Sequence, residues 1–119
     1  MREIREAYRA TVVLLALLDT LWNNTHAMGK LLRNAVYTEL AKKFSALHSQ
    51  ANRLQADVRA LEIGTDDEED FGTDDDQKHY AKAILRAARR MNREARVVAR
   101  FHDIPTKDMY ASELVRRQG

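Results

Sequence analysis

The residues best placed to do chemistry are a periodic set of cations. Lys82, Arg86, Arg89, Arg93, Arg96 and Arg100 recur at spacings that alternate between four and three. On a helix that turns ~100° and rises ~1.5 Å per residue, this rhythm holds all six on one face as a stripe ~27 Å long. Ile84, Ala88, Met91, Ala95 and Val98 repeat the rhythm two positions later. That shift places them ~200° around the axis, so a helix packed through its apolar row turns its cations to water. Like charges at these spacings repel by ~0.2–0.5 kcal/mol per neighbouring pair, or roughly 1–2.5 kcal/mol along the stripe. Glu94, four residues after Arg90, is the one acid positioned for relief within the helix.

Three anionic partners could offset that repulsion. The first is internal. All twenty Lys and Arg lie outside residues 61–77, whereas nine of the eighteen acids lie inside, so the stretch carries −9 and the remainder +11. Its centre, Asp66, Asp67, Glu68, Glu69 and Asp70, is a potential regulatory loop that covers the stripe until a stronger polyanion displaces it. The second partner is a nucleic-acid backbone, whose phosphates suit the planar fork of arginine. The third is an acidic protein surface, with the stripe as docking edge of an assembly or inhibitor subunit. Aromatic residues are scarce here: Tyr80 and Phe101 sit at the ends of the segment and fit the core as readily as a base-stacking platform, so nucleic-acid contact is expected to be directed mostly at the backbone.

Other constellations are weaker. The acidic run resembles a calcium loop only in charge, since with Asp67 first and Gly72 sixth, Phe71 falls on a ligand position and Lys78 on the bidentate one. His26, His48, His79 and His102 lack the close pairing of a zinc motif, so no metal or other cofactor is expected. Arg96 and His102, separated by five residues near a helix end, are similar to the loose Arg-to-His motif of HEPN ribonucleases, which are helical and often dimeric. The resemblance implies RNA cleavage, with the arginine stabilising phosphate charge and the histidine moving a proton. The residue after the arginine, usually polar in that family, is Val97 here.

The elements that must position these residues are helical. A chain of 119 residues is one ordinary domain, here read as 1–119 with an acidic connection at about 64–76. Four glycines and one proline are too few turn formers for an all-β fold. Charged residues reach 32%, above the typical ~25%, and no cysteine is present for disulfide, thiolate or nucleophile. The uncharged run Ala10 to Leu18 is far short of the ~20 residues of a membrane span and follows a basic stretch broken by Glu3 and Glu6. A cytoplasmic setting without membrane contact is the expectation.

The periodicity predicts a first helix from about Arg2 to Trp22, with Ile4, Val12, Leu15, Leu18 and Trp22 near one face. Asn23-Asn24-Thr25 then reads as a break with Thr25 as N-cap, aided by Gly29 as a hinge. A second helix from about His26 to Ile63 carries a packing seam of Tyr37, Leu40, Phe44, Leu47, Ala51, Leu54, Val58 and Leu61, stopping at Gly64. The seam is compatible with contacts inside one chain or between chains. A third helix spans about Gln77 to His102, with Asp74-Asp75-Asp76 at its positive end, and Ile104-Pro105 stops it. Thr106 is expected to cap a short last helix reaching about Arg117. The expectation is thus an all-α bundle of three long helices and a short C-terminal one. It is expected to self-associate or join a larger complex, and to act by binding a nucleic acid or acidic protein rather than by catalysis.

Overall fold

The computed structural model describes residues 2–64 and 74–118, and in them four helices run in order: α1 Arg2–Leu32, α2 Ala35–Gly64, α3 Asp74–Phe101 and α4 Ala111–Gln118. The acidic residues 66–70 lie outside the described residues. The molecule is a rod of 57 × 20 × 18 Å. Its length follows from α1, whose 31 residues span ~46 Å at ~1.5 Å each.

The heptad rhythm of α2 is spent inside the chain. Leu40, Phe44, Leu47, Ala51, Val58 and Leu61 are buried and Tyr37 and Leu54 half-buried, against Leu14, Leu17, Leu18, Leu21 and Met28 of α1 in the larger cluster and Ile4 and Ala7 in the smaller. A fully buried Leu or Phe contributes ~1.5–3 kcal/mol, so this seam is the main stabilising contact of the rod. The smaller cluster joins the start of α1 to the end of α2 and the start of α3. α2 therefore runs antiparallel to α1, and α3 runs parallel to it.

The chain does not break at Asn23-Asn24-Thr25. α1 passes through all three because their side chains are used elsewhere. Thr25 Oγ1 donates back to the Leu21 carbonyl, a bond compatible with an uninterrupted helix. Asn24 Nδ2 reaches 81 residues along the chain to donate to the Pro105 carbonyl at 3.0 Å, and to that of Lys107 at 2.9 Å. Gly29 is no hinge either: it lies inside α1 close against the first turns of α2, and a Cβ there would meet Thr38 Oγ1 at 3.3 Å. The reversal comes later. Arg33 turns left-handed at φ 51°, and Asn34 caps α2 by accepting the Val36 N–H on Oδ1 at 3.0 Å.

α3 begins three residues earlier than expected, so Asp75 and Asp76 fall in its first turn, where their carboxylates offset the partial positive charge of the helix end. Its far end is a Schellman stop. Asp103 is left-handed at φ 54°, the Ile104 N–H bonds the Ala99 carbonyl at 2.8 Å, and Asp103 N–H bonds that of Arg100 at 3.3 Å. Ile104 is buried in the larger cluster with Ala99. Thr106 caps nothing. With the Pro105 and Lys107 carbonyls held by Asn24, the segment crosses α1 as a non-helical stretch that bends at Thr106 and Lys107, and α4 starts at Ala111 with the Tyr110 carbonyl accepting from Glu113 and Leu114.

Val12 and Trp22, expected on the buried face of α1, are 44% and 37% exposed; Ala7, Thr11, Leu14, Leu21 and Met28 take the interior with Ile4 and Leu18. The apolar stripe of α1 is rotated because two neighbours, α2 and α3, divide it.

Asn24→Ala leaves the buried Pro105 carbonyl without its donor and frees the part-buried one of Lys107, a loss of ~1–3 kcal/mol. The expected outcome is a lower urea midpoint together with faster tryptic cleavage after Lys107.

Candidate polyanion interface

The face of α3 that meets the hairpin of α1 and α2 is built from small side chains. Ala81, Ala88, Ala95 and Ala99 are buried to 1% exposure or less, with Ile84 buried and Met91 and Val98 half-buried beside them. Alanine lets helix axes approach toward the short end of the usual ~8–10 Å range. The packing row and the cations diverge around the axis as the spacing requires, and Lys82, Arg86, Arg89, Arg93, Arg96 and Arg100 are all exposed.

Among the described residues none of these six is paired with a carboxylate. Arg96 Nε donates to Asn92 Oδ1 at 2.8 Å, a neutral acceptor that orients the guanidinium without cancelling its charge. Glu94 does not relieve Arg90: its carboxylate turns to Lys43 of α2, with Oε1 3.9 Å from Nζ. The other ion pairs among the described residues, Arg2 with Glu6, Lys42 with Glu39 and His48 with Asp19, lie on α1 and α2. Arg59 is a contrasting case. Its Nη2 donates to Tyr8 Oη at 3.4 Å and its guanidinium lies 5.9 Å from the ring centroid, and this hydrogen bond with the phenol raises its pKa above the ordinary value.

The stripe borders a groove of about 490 Å³ between α1 and α3. Arg89 and Arg93 line one side, and Arg9 and Val13 of α1 belong to the other. Neither Arg9 nor Val13 stood out in the sequence, where Arg9 reads as one of several N-terminal cations and Val13 as part of an apolar run. The available signal was the pair Val12-Val13, since two adjacent positions cannot both face one neighbour on a helix. Tyr80 and Phe101 are not core residues: they are 58% and 82% exposed at the two ends of α3.

Of the remaining candidates, His102 lies one residue past the end of α3, half-buried, with its ring edge-on to Phe101 at 5.0 Å. His26 stacks on Trp22 with ring centroids 4.8 Å apart. Asp19, His48, Ser45 and Ser49 line one recess, but the imidazole has no nitrogen left for a serine hydroxyl: Nε2 is 2.9 Å from Asp19 Oδ1, and Nδ1 meets Asn52 Nδ2 at 3.3 Å. No group of three or more acidic, histidine or cysteine side chains among the described residues is arranged to hold a metal. No helix among them is long and apolar enough to cross a membrane. Comparison of the chain with known family models, curated proteins and solved structures finds no match.

Arg93 has like-charged neighbours at Arg89, Arg90 and Arg96, so Arg93→Gln removes three repulsive pairs while keeping helix propensity nearly constant. Thermal unfolding is expected to show a gain of ~0.6–1.5 kcal/mol at low ionic strength, closing as salt shortens the screening length.

Proposed function

We propose that the protein is a non-enzymatic binding or adaptor subunit whose α3 stripe contacts a polyanion, either a nucleic-acid backbone or an acidic protein surface. One observation carries the reading: six exposed cations on one helical face, with no carboxylate partner among the described residues. An anion laid along them gains attraction and also removes a repulsion that the free protein carries, so binding is favoured twice by the same charges. The arginines dominate the set, which suits oxyanions that accept two parallel N–H bonds. The setting is cytoplasmic in this reading. Residues 65–73, with five acids and no base in sequence, act as a local competitor that suppresses weak, non-specific contacts.

The test is a titration against duplex DNA, single-stranded RNA and poly-glutamate over a range of salt. Wild-type protein is expected to bind at least one of them with an affinity that falls steeply with salt. Reversing Arg86, Arg96 and Arg100 to glutamate lowers that affinity and, for duplex DNA, flattens the logarithmic salt slope by roughly 0.9 for each phosphate no longer neutralised. Unchanged affinity and slope, with helical content retained, refutes the role of the stripe. A neutral linker in place of 65–73 is expected to tighten binding in the same assay; equal or weaker binding removes the competitor from the scheme.

A further inference from the structure

We propose that the groove between α1 and α3 receives an acidic amphipathic helix from a partner protein, an inference that rests on the stripe reading above and narrows its partner. Ala10, Val13, Leu85 and Ala88 line the groove, and Arg9 on α1 and Arg89 and Arg93 on α3 are among its polar lining. Positive charge thus comes from two helices, and Arg9 is not part of the stripe. The three guanidinium groups have no carboxylate partner among the described residues, while Glu6, which also lines the groove, is held by Arg2 Nε at 3.0 Å.

The apolar floor decides between the two classes of polyanion. Val13 is 56% exposed, and a phosphate backbone has no apolar surface with which to cover it. A helix with leucines on one face does, at ~25 cal/mol for each Å² removed from water. Ala10 and Ala88 leave room for that ridge to sink between the two walls. Glutamates flanking the ridge then meet Arg9 on one side and Arg89 and Arg93 on the other, the usual arrangement of a helix held in a groove by anchors at i, i+3, i+4 and i+7.

The experiment uses the full chain and a labelled peptide of about five helical turns, with a leucine ridge flanked by glutamates. Two comparators accompany it: a peptide of identical composition with the leucines dispersed, and a DNA duplex of about two turns. The expected result is peptide binding that weakens with salt and falls roughly tenfold in Arg9→Glu. It falls roughly fivefold or more in the neutral variant Val13→Asn, and the dispersed peptide binds roughly tenfold more weakly than the ridge peptide. Val13→Asn leaves DNA affinity unchanged. Circular dichroism and melting confirm that each variant retains its helices before its affinity is compared.

Failure of the ridge peptide to bind, equal binding of the two peptides, or no effect of Val13→Asn overturns the groove assignment. DNA binding that depends on Arg9 and exceeds that of the peptide identifies a phosphate backbone as the occupant instead. The stripe reading fails separately, when reversal of Arg86, Arg96 and Arg100 leaves every polyanion affinity unchanged.

Discussion

The seam between α1 and α2 is the contact on which the other features rest. Large side chains meet there: Leu14, Leu18 and Leu21 from one helix, Phe44 and Leu47 from the other. α3 is different, because its buried row is dominated by alanine. A helix whose buried row is mostly methyl groups, with Ile84 the one larger apolar side chain fully in it, has less apolar area to contribute than α1 or α2, and it also carries six like charges on its outer surface. Its place is secured by the hairpin it lies against, not by its own packing energy. Without the seam, neither the groove nor the stripe has a defined position.

How much of this could be read from the chain depended on the range of the interactions involved. Periodicity is local, so the helical class, the rows of α2 and α3 and the divergence of cations from apolar residues on α3 were visible in the spacing. The hairpin turn was misplaced for the opposite reason. Asn24 looks like a breaker because its amide can compete with the nearby backbone, but here it bonds carbonyls beyond residue 100, and no local pattern records that. The same bond moved the start of α4, since Thr106 had the right chemistry for a cap while the carbonyls on either side of it were already engaged. Gly29 was misread alike: an open position can serve flexibility or close approach, and only the presence of α2 selects the second.

The candidate interface was half legible. A row of cations on one helix is a sequence-level object, whereas a groove exists only when two helices lie side by side. Arg9 and Val13 acquire meaning from Leu85, Arg89 and Arg93, which stand more than seventy residues away in sequence and across a parallel pairing that no short-range signal predicts. Electrostatics follows the same division. The stripe's self-repulsion can be estimated from spacing alone, but Glu94's preference for Lys43 over Arg90 depends on where α2 lies.

The alanine row has one more consequence, for axial register. Smooth surfaces interlock weakly, and a helix that repeats alanine at 81, 88 and 95 presents nearly the same profile one heptad up or down. Beside the differing side chains of Ile84, Met91 and Val98, what distinguishes those settings is the chain just beyond the helix, where the left-handed Asp103, the buried Ile104 and the two carbonyls gripped by Asn24 act together as an end stop. That stop lies far from the groove, yet it fixes how far α3 slides along α1 and therefore which guanidinium groups come level with Arg9.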